Sequence, residues 1–174
     1  PGKRGLDFKN DSDYRNAGIG ITRNNQYLSL FNGVFFAPST GTYQWEIRGN
    51  DDRGTIWLDL DQDGVFEING DFGSEQLVYQ PQCCGTKSTN INLVSGYYRI
   101  AIAHGEGNGG SNQEAYFKTP GGGPTSLTKI KPSDQPTLFM TENQKTIMSR
   151  GDLRLLFDGD NNLVYEHADQ SGSV

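Results

Sequence analysis

Thr42-Tyr43-Gln44-Trp45-Glu46-Ile47-Arg48 alternates strictly, with Tyr43, Trp45 and Ile47 on one face and Gln44, Glu46 and Arg48 on the other. Successive side chains of an extended chain point to opposite sides, so the run predicts a strand with one buried and one wetted face. Thr55 to Leu60 repeats the pattern, with Ile56, Leu58 and Leu60 against Trp57 and Asp59. Working outward, Tyr27–Phe36 predicts one strand, or two broken at Asn32-Gly33. Val65–Ile68, Leu77–Tyr79, Asn90–Val94, Tyr97–Ala103 and Glu114–Lys118 predict further short strands. Helical periodicity is scarce, and 23 glycines are scattered between the apolar runs, where they place tight turns. The fold class is therefore all-β: an antiparallel sandwich or barrel with extended loops.

The chain's 174 residues fit one main domain. Gly121-Gly122-Gly123-Pro124 marks an exit loop, and Lys131–Pro136, with two prolines, marks a boundary. This divides the chain into a β domain over 1–131 and an extension over 132–174. In the extension, Leu153–Phe157 and Leu163–Tyr165, joined by Asp158-Gly159-Asp160-Asn161-Asn162, predict a hairpin that packs on the main domain or starts the next one. The residues from Asp169 are polar and read as a loose end. The chain opens at Pro1 with no signal peptide, and reads as a mature product or an excised domain. No apolar run reaches the 18 residues of a membrane span. A net charge of −6, with no basic cluster beyond Lys129 and Lys131, excludes a nucleic-acid binder.

The acidic residues are clumped between Asp51 and Glu75, and clumped acids form either a solvated face or a cation site. Asp51-Asp52 follows the strand ending at Arg48. Adjacent carboxylates repel unless a cation joins them. Calcium takes several oxygens at ~2.3–2.6 Å, and two neighbouring side chains reach one ion if the peptide between them is bent, even cis. The other reading is a turn with two solvated aspartates. Asp59, Asp61 and Asp63 precede Gly64 as D-x-D-x-D-G, with Glu67 at the ninth position of a calcium loop. The twelfth position holds Gly70 instead of the bidentate acid, and no helix flanks the loop, so a plain acidic hairpin turn competes. His104–Asn112 reads H-G-E-G-N-G-G-S-N. Its glycines let backbone approach a ligand closely, and Glu106, Asn108 and Asn112 offer side-chain oxygens.

The two cysteines are neighbours, Cys83 and Cys84, and within the chain they pair with each other or stay reduced. Their soft-metal reading lacks a nearby His or third Cys. No G-x-S-x-G or H-E-x-x-H motif is present, and His104 and His167 lie far apart. The chain is read as a binding module and not an enzyme, with no catalytic residue assigned.

The order of Phe35-Phe36-Ala37-Pro38-Ser39-Thr40-Gly41-Thr42-Tyr43, Asp51-Asp52, Ile56-Trp57-Leu58-Asp59, Asn92-Leu93-Val94-Ser95-Gly96-Tyr97-Tyr98-Arg99-Ile100 and Gly105–Ser111 resembles the PA14 family over about residues 20–125. These modules are β-sandwiches or barrels found in toxins, adhesins, flocculins and glycosidases. In the lectin branch, an Asp-Asp pair joined by a cis peptide binds calcium, and a second loop adds an Asn side chain and backbone oxygens. The ion then coordinates adjacent hydroxyls of a sugar. The resemblance implies calcium as the cofactor and a glycan or polysaccharide as the partner. It places Asp51, Asp52, Gly107, Asn108, Gly109 and Asn112 at the ligand, with Asn108 first and Glu106 next as loop ligands to the metal. It also implies an extracellular or cell-surface multidomain protein engaged in adhesion. Trp57, Tyr79 and Tyr116 are candidate stacking surfaces. Arg53, the D-x-D-x-D-G segment and Cys83-Cys84 depart from the pattern. The alternative is a calcium-rigidified spacer, with Asp59, Asp61 and Asp63 as ligands and no sugar.

Overall fold

A computed structural model describes residues 6–17, 21–69, 73–140, 148–150, 153–157 and 163–167. It divides into two compact units, 1–140 and 141–174. The first holds β1 (Asp7–Phe8), α1 (Asp11–Asn16), β2 (Tyr27–Ala37), β3 (Gly41–Asp51), β4 (Arg53–Leu58), β5 (Gln76–Gln80), β6 (Thr86–Leu93), β7 (Gly96–Glu106), β8 (Asn112–Lys118), β9 (Thr128–Lys129) and β10 (Phe139–Met140). One sheet runs β1-β8-β3-β6, with β9 on β8, and the other runs β10-β2-β7-β4-β5. Every pairing is antiparallel.

The apolar half of the alternation in β3 does what its pattern demands, whereas Glu46 of the expected wetted face is buried and pairs with Arg48. Tyr43, Trp45 and Ile47 are all fully buried, and Trp45 meets Phe35 of the opposite sheet edge-on at 4.9 Å. Ile56 and Leu58 of β4 and Ile100 and Ile102 of β7 complete the core from the other side. The result is an all-β sandwich whose two apolar faces close on each other.

Of the two readings left open for Tyr27–Phe36, the single strand holds: Tyr27–Ala37 is unbroken and pairs with β7 along its whole length, while two other details differ from the sequence reading. Gly33 does not break it; a Cβ there would lie 2.6 Å from the Met140 carbonyl, so the glycine admits β10. Val65–Ile68 is not a strand, because the Glu67 backbone bonds to Glu75 instead of to a ladder. The break drawn at 131 lies inside the first unit. Phe139 and Met140 pair with Phe35 and Val34, and this pairing carries the unit on to Met140.

The second unit holds β11 (Met148–Arg150), β12 (Leu153–Phe157) and β13 (Leu163–His167), an antiparallel three-stranded sheet. The hairpin turn over 158–162, the end from Asp169, and Gly70 and Asp71 lie outside the described residues. Among the described residues, no helix is long and apolar enough to cross a membrane.

Candidate functional site

β3 ends at Asp51 and β4 begins at Arg53, so Asp51-Asp52 forms the corner where the chain passes from one sheet to the other. The peptide bond between them is cis. β7 ends at Glu106 and β8 begins at Asn112, and the loop between them lies against this corner, with Asn112 in register with Asp51.

Two glycines bring the loop onto the carboxylates. The Gly107 N–H donates to Asp52 Oδ2 at 2.6 Å, and a Cβ on Gly107 would run into the same oxygen. A Cβ on Gly110 would lie 3.2 Å from Asp51 Oδ2. Only residues without side chains allow so close a backbone approach. The loop is pinned from behind: Gln26 N–H donates to the Gly107 carbonyl at 2.8 Å, and Gly109 N–H to Asn25 Oδ1 at 3.2 Å. Asn112 Nδ2 donates to the Gly49 carbonyl, which ties the far end of the loop to β3. Asn108 is exposed and lines a cavity of about 590 Å³ that also touches Asp52, Gly107, Tyr79 and Cys83.

The electrostatics of the corner are those of excess negative charge. Asp51 is raised above the usual carboxylate range by burial and by its neighbour Asp52. Glu106 is almost fully buried, neither carboxylate oxygen has a hydrogen-bond partner, and burial with the charges of Asp52 and Asp51 pushes it up to about 7. It does not cluster with both aspartates at ligand distance, so it stands behind the pair as a source of negative potential. Buried His104 is held below its ordinary value by desolvation, and its Nε2–H donates to the Asp51 backbone carbonyl. Its ring stacks on Tyr14 at 5.2 Å, which fixes its orientation.

Cys83 and Cys84 are disulfide-bonded to each other, and both are exposed. Their sulfurs and an Asp51 carboxylate oxygen lie within 4.8 Å of one another. The Cys84 N–H donates to the Asn50 carbonyl at 2.7 Å, anchoring the β5–β6 turn beside the corner. Of the three aromatic candidates, Tyr79 is half exposed and faces the cavity. Trp57 packs on Phe66, and Tyr116 carries the Arg48 guanidinium on its ring.

The second acidic segment lies at the other end of β4. Asp59, Asp61 and Asp63 offer oxygens within 4.8 Å of one another, and Glu67 is outside that group. Burial and the charges of Glu75 and Asp61 raise Asp59 to about 6. Sequence reading overlooked Glu75, which lies 15 positions from the Leu60 N–H it accepts. It overlooked Asp11 too, which accepts from Ser111 at 2.9 Å across 100 positions, and from Tyr27 at 3.0 Å.

No family model and no curated protein matches the chain. Solved structures do. The A domain of Epithelial Adhesin 9 from Candida glabrata, in complex with Galβ1-4GlcNAc, superposes with a TM-score of 0.52 at 15% identity, covering 79% of this chain and 68% of that one. The A domain of Epithelial Adhesin 6 from the same organism, in complex with Galβ1-3GlcNAc, gives 0.51 at 17% identity, covering 79% and 59%. A PA14 domain of the MpAFP antifreeze protein aligns at 14% identity over 80% of this chain and 87% of its own, with a TM-score of 0.44. The likeness to the adhesin domains establishes the fold, the PA14-type sandwich expected from the sequence. The chain spans about half to two thirds of the length of the adhesin domains it matches.

Proposed function

We propose that the chain binds glycans through a calcium ion held at the Asp51-Asp52 corner, as a non-catalytic module of a secreted or cell-surface multidomain protein. The observation that carries the reading is the closure of Gly107 and Gly110 onto the two aspartates at the rim of a cavity. Asp51 and Asp52 would supply carboxylate oxygens, and Asn108 and loop carbonyls would supply neutral ones, the hard oxygen set that calcium prefers. The bound ion would accept vicinal sugar hydroxyls. Sugar complexes of the adhesin domains that share this fold support the ligand class.

The charge distribution favours a cation at this corner. Two adjacent carboxylates backed by buried Glu106 repel one another in a partly desolvated site, and a divalent ion relieves all three at once. Around the ion, Tyr79 and the Cys83–Cys84 disulfide offer apolar surface for a sugar ring. A calcium-rigidified spacer without a sugar is the second reading, and the acidic loop at Asp59 favours it. Calorimetry of calcium binding to the wild type and to Asp52→Ala tests the metal half. The variant keeps its fold and loses the ion at this corner; undiminished calcium binding would overturn the assignment.

A further inference from the structure

Asp59 is 2% exposed, one carboxylate oxygen takes the Gly64 N–H at 3.0 Å, and the other, Oδ1, is buried with no hydrogen-bond partner. The Gly64 contact turns this carboxylate into the loop, where Asp61 and Asp63 bring oxygens within 4.8 Å. Each of those two also gives one oxygen to a backbone N–H two residues on: Asp61 Oδ1 to Asp63 at 3.1 Å and Asp63 Oδ1 to Val65 at 2.7 Å.

Glu75 braces the loop and is not one of its clustered oxygens. It is 1% exposed and closes the loop from beneath. One oxygen accepts from Leu60 N–H and Asp61 N–H, the other accepts from Glu67 N–H at 3.0 Å, and Glu75 N–H returns to the Glu67 carbonyl at 2.9 Å. The loop is thus held at both ends by a second buried carboxylate lying close to Asp59. Among the described residues, no ion pair reaches Asp59, Asp61, Asp63 or Glu75. Arg99 touches the loop only at the Gly64 carbonyl, at 3.2 Å. Two buried carboxylates without a counter-ion are costly, and a bound divalent cation would offset the charge of both.

We propose that Asp59, Asp61 and Asp63 hold a divalent cation of the calcium type, at a structural site separate from the Asp51-Asp52 corner. The six residues of β4 lie between the two, a span of about 20 Å. Trp57 of β4 packs on Phe66 at 6.2 Å, so an ion here fastens the loop to the sheet. The site does not depend on the glycan reading.

The test titrates calcium chloride into the whole chain by calorimetry and follows the melting temperature. The double variant Asp51→Asn/Asp52→Asn is expected to retain one ion per chain and a calcium-dependent rise in melting temperature. Asp61→Asn/Asp63→Asn is expected to lose that ion. The exposed single change Asp63→Asn, milder for folding, is expected to weaken it about tenfold or more. Loss of all calcium binding in Asp51→Asn/Asp52→Asn would overturn the proposal, as would unchanged affinity in Asp63→Asn. If the corner binds no metal, the wild type binds a single ion that Asp51→Asn/Asp52→Asn keeps, so the two proposals fail separately.

Discussion

The Gly107 N–H lies 2.6 Å from Asp52 Oδ2, and this one bond ties the glycine-rich loop to the carboxylate pair at the corner between the sheets. A methyl group on Gly107 would occupy the place of that oxygen. Gly107→Ala is therefore expected to displace the Asp52 carboxylate and weaken calcium binding by about tenfold or more, a loss of at least ~1.4 kcal/mol. Calorimetry checks it. Gly121→Ala, where the nearest atom to an added Cβ is 3.7 Å away, is the neutral control.

Glu106 connects the corner to pH. Its folded-state value of about 7 stands above the ordinary 4.5, so its contribution to stability is fully present below about 4.5 and is lost as pH rises through 7. In chelator, Glu106→Gln is expected to be more stable than wild type at pH 8, by roughly 3 kcal/mol at most, and to lose that advantage by about pH 4. Calcium affinity of the wild type is expected to fall as pH drops below 7, where Glu106 takes a proton and the corner loses negative potential. Chemical denaturation at both pH values checks the first expectation, and calcium titration checks the second. A pH-independent difference between the two proteins contradicts the assignment.

His104 holds the Asp51 backbone by donating to its carbonyl while stacked on Tyr14. His104→Phe keeps the ring and removes the donor, leaving a carbonyl without its partner. The expected cost is about 1–3 kcal/mol in stability, with weaker calcium binding. Urea unfolding in chelator, followed by calcium titration, separates the two effects.

The Cys83–Cys84 disulfide stands within 4.8 Å of Asp51 but offers calcium no hard oxygen from its side chains. Cys83→Ser/Cys84→Ser is therefore expected to leave calcium affinity within about threefold, and to change which glycans are retained on an array. Loss of calcium binding would mean that the turn shapes the corner itself.

Much of the fold was legible because strand alternation is a local signal: Tyr43-Trp45-Ile47 and Ile56-Leu58 declare their buried faces without help from distant residues. The corner was visible for the same reason, since Asp51 and Asp52 are adjacent and the 105–112 loop is one stretch. What the sequence hid was long-range pairing. Nothing near Gly33 announces that Met140 will pass beside it, so the sequence left open whether that glycine breaks the strand or, as it does, admits another. Nothing near Glu67 announces that Glu75 will take its N–H, so Val65–Ile68 looked like a strand. The roles of Gly107 and Gly110 as contact points for Asp52 and Asp51 emerge only when the loop is laid on the corner.

The most direct test of the central claim is a glycan array probed with the whole chain, once in calcium and once in chelator. The account predicts retention of a defined set of glycans in calcium, lost in chelator and lost in Asp52→Ala. Glycan binding that survives both, or no glycan binding in calcium, would contradict it.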